Sequence, residues 1–244
     1  HLLVDLTKED VTIRAIYRST AKLNQTKSLF KYYYSSQWES HFNKIEWVKG
    51  DILDVPFLME SMAGCEYIYH CAALVSFQPK DKSRLLQVNR VGTRHIVNAA
   101  LHQKIDRLIY LSTVAALGRN TNGLPVNENS KWEDGPKITN YARSKFLAEL
   151  EVWRGQAEGL STTVLYPSII LGAGDWQQGS SKLFSFAYSS PKYYPTGQTG
   201  LVDVEDVVKA IELTIVRNIN GERFLLNGTN ISYQDLLTKM AKAL

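Results

Sequence analysis

Short apolar runs rich in β-branched and aromatic residues alternate along the chain with longer stretches whose apolar positions recur at helical spacing. That alternation predicts a parallel sheet wrapped by helices. Strands are expected at Thr12 to Tyr17, Ile45 to Val48, Tyr67 to His70, Arg107 to Leu111 and Ser161 to Tyr166. Helices are expected at Lys27 to His41, Phe57 to Met62, Arg84 to His102 and Asn140 to Gly155. This order implies an α/β, doubly wound fold with right-handed crossovers, in which ligands bind at the carboxyl ends of the strands. After Tyr166 the rhythm changes. Leu171 to Ser180 is rich in Gly, Gln and Ser, and Pro191 to Gly200 gathers Pro, Tyr and Gly, which together read as a smaller lobe covering a substrate. The chain then returns through a helix at Val204 to Arg217, a strand at Arg223 to Leu226 and a last helix from Ser232.

Both ends stop inside a pattern. His1, Leu2, Leu3 and Leu6 read as the second half of an amphipathic helix, and Leu236, Leu237, Met240 and Leu244 run to the last residue. A doubly wound fold places its first strand and Gly-rich turn before such a helix. They are therefore expected within about ten residues upstream of His1.

With 244 residues, 44% of them hydrophobic and 21% charged, the chain is long enough to bury a substantial core as one large α/β domain. The net charge of +4 is modest and the lysines are dispersed, which argues against a nucleic-acid surface. No run approaches the ~18 apolar residues of a membrane span, and no basic-then-apolar signal opens the chain. No membrane association and a cytoplasmic location are expected. If Glu66 to His70 is extended, Cys65 and Cys71 lie about 20 Å apart. A disulfide requires Cα atoms within about 7 Å, so both thiols are expected to be reduced.

Tyr141 and Lys145 stand at i and i+4, where one helix face can set an ammonium beside a phenol. A cation there stabilises phenolate and is expected to lower the tyrosine pKa toward the range of a general acid/base. Spacing alone is weak, because chance supplies about one such pair in a chain of this composition. Tyr188 and Lys192 form a second, but Pro191 lies inside it and disfavours a continuous helix. Tyr141 instead opens a strong helical stretch and follows a strand that ends in Leu111, Ser112 and Thr113. The bland alternative is a surface tyrosine with a solvated lysine, and the ordered context weighs against it.

That context resembles the extended short-chain dehydrogenases/reductases, the NAD-dependent epimerase/dehydratase family, over nearly the whole chain. Tyr17-Arg18-Ser19 resembles the end of their second strand, Gly50-Asp51-Ile52 their adenine-side motif and His70-Cys71-Ala72-Ala73 the segment after their fourth strand. Asn89-Arg-Val-Gly-Thr93 resembles their Asn-x-x-Gly-Thr helix motif, and Leu111-Ser112-Thr113 the catalytic strand end. Tyr141-Ala-Arg-Ser-Lys145 matches Tyr-x-x-x-Lys, Tyr166-Pro167-Ser168 the nicotinamide-side turn, and Val202-Asp203-Val204-Glu205-Asp206 a late motif that opens the next helix.

The resemblance implies a Rossmann-type sheet, with residues 1–170 as a dinucleotide-binding domain. Residues 171–244 would form mainly the substrate lobe, with 203–217 returning to the core. It implies hydride transfer at a nicotinamide, with Thr113, Tyr141 and Lys145 catalytic. Ser112 is the alternative to Thr113 for the hydroxyl role. Cofactor contacts would come from Arg18, Ser19, Asp51, Ile52, Cys71, Ala72, Ala73, Asn89, Ser112, Tyr141, Lys145, Pro167 and Ser168. Arg18 stands at the strand end where an acid would take the ribose hydroxyls of NAD, so NADP is expected, with NAD as the alternative. Arg18 could instead lie over the adenine face.

The branch is read from departures. Sugar-nucleotide dehydratases of the family carry Thr-Asp-Glu where this chain has Thr113-Val114-Ala115, so an elimination lacks its acids. Leu111 to Gly118, with Asn127-Glu128 and Ser144 to Glu149 following, resembles the dihydroflavonol 4-reductase-like and 3β-hydroxysteroid-dehydrogenase-like branches. An oxidoreductase acting on a small carbonyl or alcohol is favoured. A nucleotide-sugar epimerase with a sugar-nucleotide substrate comes second, and a non-catalytic NADP sensor third. A homodimer is plausible by family. Gly172-Ala-Gly174 lacks the third glycine of a dinucleotide fingerprint and reads as a turn. His70, His95 and His102 show no ligand spacing, so no metal is expected. No nucleophile-elbow or zinc-helix motif is present. The Phe30, Tyr32, Tyr33, Tyr34 and Trp38 cluster reads as helix packing.

Overall fold

The computed structural model describes residues 1–118, 125–189, 191 and 193–244. In chain order its elements are α1 (Leu2–Leu6), β1 (Ile13–Tyr17), α2 (Thr20–Tyr34), α3 (Trp38–Phe42), β2 (Ile45–Lys49), α4 (Val55–Met62), β3 (Tyr67–His70), α5 (Lys82–Leu85), α6 (Gly92–His102) and β4 (Arg107–Leu111). There follow α7 (Asn140–Ala157), β5 (Thr162–Pro167), β6 (Ile169–Leu171), α8 (Lys182–Tyr188), β7 (Gln198–Asp203), α9 (Val204–Val216), β8 (Glu222–Leu226), β9 (Thr229–Ser232) and α10 (Tyr233–Ala243). The six strands predicted along the chain are all present, with ends that agree to within one residue. They fall in two compact units, one of residues 1–49, 168–210 and 227–244, the other of residues 50–167 and 211–226.

The second unit is built on a parallel sheet of order β3-β4-β5-β8. The register sets His70 beside Tyr110 and Leu111 beside Leu165, so the carboxyl ends of three neighbouring strands are level. Leu108, Tyr110, Val164 and Tyr166 are buried and join Leu58, Val97, Ala148 and Val152 of the helices in one core. Helix α7 begins where Thr139, in extended conformation, accepts a hydrogen bond from the Ala142 amide at 3.1 Å. Its buried positions include Ala142, Lys145, Ala148, Glu149, Val152 and Gly155, so two ionisable residues ride in the apolar stripe. At Gly155 a Cβ would stand 2.6 Å from Val97 Cγ1, and the missing side chain lets α6 and α7 approach closely.

The helix expected from Arg84 to His102 is interrupted. Between α5 and α6 the segment Leu86–Val91 is a π-turn, a wider coil that is frequent at functional sites.

In the first unit β1 and β2 pair in parallel from Ile13 with Ile45 to Tyr17 with Lys49. Phe30 and Phe42 are buried beside them with Ile13, Ala15 and Ile45. The aromatic cluster predicted as packing does pack, Phe30 edge-on to Phe42 at 5.4 Å, while Tyr32 stays exposed. The helix expected at Lys27 to His41 is corrected in two respects. It starts earlier, at Thr20, because Ser19 caps it by accepting from the Lys22 amide at 3.4 Å. It breaks at Ser35, whose φ of 47° is incompatible with a right-handed helix. The turn Ser35–Gln37 and α3 follow.

The late segment of this unit holds three strands not foreseen, ordered β6-β7-β9, with β7 parallel to β6 and antiparallel to β9. Leu201, Leu236, Leu237 and Met240 bury against Ile169 and Leu183. Gly172 is a site of close packing, since a Cβ there would lie 2.3 Å from Val204 Cγ1. Lys192, named in the second Tyr-Lys pair, lies outside the described residues. Both cysteines are free thiols, as their spacing required. Among the described residues no helix is long and apolar enough to cross a membrane.

Candidate active site

At the carboxyl end of the second unit's sheet the chain gathers a hydroxyl, a phenol and an ammonium. Thr113 follows β4 in extended conformation and accepts a hydrogen bond from the Ala115 amide at 3.3 Å, which starts the short 3-10 turn Val114–Leu117. Its hydroxyl lies near enough to Tyr141, at the start of α7, to lower the pKa of that phenol. Tyr141 is partly buried and meets the edge of the exposed Phe77 ring at 5.8 Å.

Lys145, one turn along α7, is only 2% exposed. It donates to the Leu111 carbonyl at 2.8 Å, and its ammonium stands 4.2 Å from the centre of the Tyr110 ring. Burial pushes its pKa down to about 7, while Cys71 and Glu149 pull it back up. The expectation that Lys145 lowers the Tyr141 pKa is not met. Burial raises the phenol above its ordinary range, and the countering influence is the nearby Thr113 hydroxyl. The lysine is directed onto a backbone carbonyl and a neighbouring ring instead.

Ser112 has a different neighbourhood from Thr113. It is buried and donates to Glu149 Oε2 at 3.2 Å, while its amide donates to the Leu165 carbonyl at 2.8 Å. Glu149, 5% exposed, also accepts from Trp153 Nε1 at 3.1 Å and from the Tyr166 hydroxyl. Burial raises this carboxyl and its three side-chain donors oppose the rise. Sequence reading missed this cluster. Its signal was present all the same, a glutamate in phase with the buried stripe of a helix and four residues after Lys145.

Asn89, in the π-turn, is fully engaged with protein. Its amide donates to the Leu74 carbonyl at 3.0 Å and to Ser144 Oγ at 2.9 Å, and its oxygen accepts from the Leu74 amide at 2.7 Å. It thereby ties the segment after β3 to the first turn of α7. Cys71, Ala72 and Ala73 are exposed at that strand end, with side chains too small to cover their backbone. Asp51 accepts from the Leu53 amide at 3.0 Å in a tight turn, and Ile52 packs where a Cβ on Gly92 would stand 2.6 Å from its Cδ1. Pro167 closes β5 opposite Leu226.

The remaining predicted contacts belong to the first unit. Arg18 is exposed at the end of β1 and makes no ion pair among the described residues. Ser19 is also exposed and serves as the α2 cap. Ser168 Oγ is buried and has no hydrogen-bond partner among the described residues.

His70 is buried and pairs with the Thr93 hydroxyl at 2.8 Å. Burial, then Lys145, push its pKa from the ordinary 6.5 down to about 3, so it is neutral in the folded protein. Below pH 6.5 the unfolded chain takes up a proton that the native imidazole refuses. Stability is therefore expected to fall as pH drops from 6.5 toward 3, by at most about 1.4 kcal/mol per pH unit for this group. Thermal melts across that window check it, since His70→Gln should flatten the slope. An unchanged slope would remove His70 from the acid response.

The model of the family described as NAD dependent epimerase/dehydratase matches residues 1–226. Among curated proteins the chain is 29% identical to the sterol demethylase protein B of Methylococcus capsulatus, covering 79% of this chain and 59% of that protein. It is 29% identical to a putative dihydroflavonol 4-reductase of Synechocystis, covering 99% and 68%. It is 30% identical to cinnamoyl-CoA reductase 1 of Oryza sativa subsp. japonica, covering 78% and 58%. The chain thus spans less than two thirds of the length of two of these three relatives. Among solved structures, gox2253 superposes with a TM-score of 0.83 at 26% identity, over 99% of this chain and 70% of that one. The UDP-glucose 4-epimerase of Thermotoga maritima superposes at 0.79 with 18% identity, over 99% and 77%, a likeness of fold.

Proposed function

The chain belongs to the NAD dependent epimerase/dehydratase family, and from that premise we propose that it is an oxidoreductase that uses NADP to reduce a carbonyl of a small organic molecule or to oxidise the matching secondary alcohol. The observation that carries the reading is the meeting of Thr113 and Tyr141 one helical turn from a lysine that is buried and donates to a carbonyl at a strand's carboxyl end. The residues present fit a nicotinamide dinucleotide. The ammonium of Lys145 brings three protons and has one hydrogen-bond acceptor among the described residues, Leu111 O, so it retains donors for a ribose hydroxyl. The exposed small residues Cys71 to Ala73 leave backbone open at the adjacent strand end. When bound, the nicotinamide supplies or accepts the hydride.

Tyr141 gives its proton to the carbonyl oxygen during reduction and recovers it during oxidation. Its raised pKa keeps it protonated and ready to donate at neutral pH. Thr113 orients that phenol and offers a second hydrogen bond to the same oxygen. Lys145 places positive charge near the developing alkoxide. The reductase reading is preferred to the epimerase one because reductases are named among the relatives and Val114 and Ala115 stand where a dehydratase carries acids. The exposed aromatics Trp176, Tyr188, Tyr193 and Tyr194 support assigning the segment 171–200 to the substrate lobe. Free thiols at both cysteines support a cytoplasmic site of action.

The test is NADPH oxidation, followed by nicotinamide absorbance, against a panel of ketones and aldehydes. Turnover of at least one is expected, and none across a broad panel would overturn the reading. Arg18, exposed before the N-terminus of α2 and without an ion pair among the described residues, supports NADP by matching a 2′-phosphate. Arg18→Ala is expected to weaken NADPH binding about tenfold or more while leaving NADH binding within about twofold. Equal losses for both cofactors would refute that assignment.

A further inference from the structure

Helix α7 and the end of β4 are joined at two points in the second unit. Lys145 donates to the carbonyl of Leu111, and one turn later Glu149 accepts from the hydroxyl of Ser112. The next residue on that strand end is Thr113, whose hydroxyl meets Tyr141 on the same helix. From this we infer that Glu149 is a positioning residue of the active site, one whose carboxylate braces the strand end through Ser112 and holds negative charge behind the ammonium of Lys145. The inference rests on the catalytic reading of Thr113, Tyr141 and Lys145 given above.

The hydrogen-bond pattern requires an acceptor at Glu149. The indole N–H of Trp153 can only donate, the Tyr166 hydroxyl also reaches Oε1, and Ser112 reaches Oε2. These donors satisfy a carboxylate without help from solvent, in a place where a stray buried charge would be costly. The same geometry gives the charge a use. Lys145 is buried one turn away on the same helix, and Cys71 and then Glu149 oppose the tendency of burial to strip the lysine of its proton. Two other groups facing Lys145 carry no negative charge, since His70 at the end of β3 is neutral and Tyr110 on β4 stays protonated, while the exposed Cys71 beside His70 is the other group that raises the lysine. Tyr141 on α7 is likewise held above its ordinary range. Tyr166 on β5 and Arg223 on β8 act on Glu149 itself. Among these groups Glu149 supplies the carboxylate that supports the ammonium, alongside Cys71.

Two variants separate the charge from the brace. Glu149→Gln keeps the shape and an acceptor but removes the charge. The Lys145 side chain, followed by its 13Cε NMR resonance and assigned by its absence in Lys145→Met, should then titrate about one pH unit lower than in the wild type. The alkaline limb of the kcat profile should shift with it, and Glu149→Asp should restore most of the shift. Ser112→Ala keeps the charge and cuts the brace, so kcat should fall about tenfold with the lysine midpoint unchanged and KM within about twofold. A Lys145 midpoint unmoved by Glu149→Gln overturns the charge role, and wild-type kcat in Ser112→Ala overturns the brace. If Glu149→Gln does not fold, Ser112→Ala still decides the second point. The lysine titration needs no substrate, so a protein that turns over no carbonyl would sink the proposed reaction while the midpoint shift still judges Glu149.

Discussion

Tyr141→Phe is expected to lower kcat for carbonyl reduction about a thousandfold, within the span of general acid–base catalysis. NADPH affinity should stay within about twofold. The substitution removes one oxygen and leaves the ring against Phe77, so packing is preserved. What is lost is the proton that the phenol holds. Because burial raises the tyrosine pKa, the wild-type group is a filled donor at neutral pH, and reduction depends on it directly. Thr113 remains and retains its bond from the Ala115 amide, so a residual rate from polarisation of the carbonyl should persist. Steady-state rates and a separate NADPH titration decide the matter. A Phe variant within about threefold of wild type would take Tyr141 out of the proton transfer.

Asn89→Ala should damage both stability and rate. It removes the three hydrogen bonds that join the segment after β3 to α7. At roughly 1 kcal/mol each, with an added cost for any group left dry, the loss is about 3 kcal/mol. For a chain of this length that corresponds to a fall in Tm of about 6 to 12 °C. The rate should fall about tenfold to a hundredfold, since Tyr141 sits in the turn that Ser144 closes by donating to the Tyr141 carbonyl at 2.7 Å. Asn89→Asp should be no milder, because it keeps one acceptor, loses both donors and adds a buried charge. Calorimetry paired with kcat checks this. A variant that melts like the wild type and loses only cofactor affinity would make Asn89 a ligand contact and not a clamp.

The parallel core was legible in the sequence because β3, β4 and β5 are short β-branched and aromatic runs between polar stretches. Helix α7 was legible as a strong helical stretch opened by Tyr141. The late strands were not. β7 reads Gln-Thr-Gly-Leu-Val-Asp and β9 reads Thr-Asn-Ile-Ser, compositions that local pattern assigns to loops. Their strand character comes from pairing with each other across distant sequence. The break at Ser35 was hidden because aromatic residues continue on both sides of it. At the site, the pattern brought Thr113, Tyr141 and Lys145 to notice through order and spacing. It could not say which atom the lysine would seek, since the carbonyl of Leu111 carries no side-chain signature. Glu149 was passed over because a charged residue on a helix is usually a solvated one.

The π-turn at Leu86–Val91 amounts to one surplus residue wound into an otherwise regular rod. Deleting a single residue there would let α5 and α6 fuse into one uninterrupted helix, a local repair by every backbone criterion. Because the wider turn twists less per residue, the flanking helices would keep their phase. What would move is the bulged segment itself, which holds Asn89 against Leu74 and Ser144. A shorter relative with a smooth helix in this place should have to fasten its strand end to its tyrosine helix by some other residue.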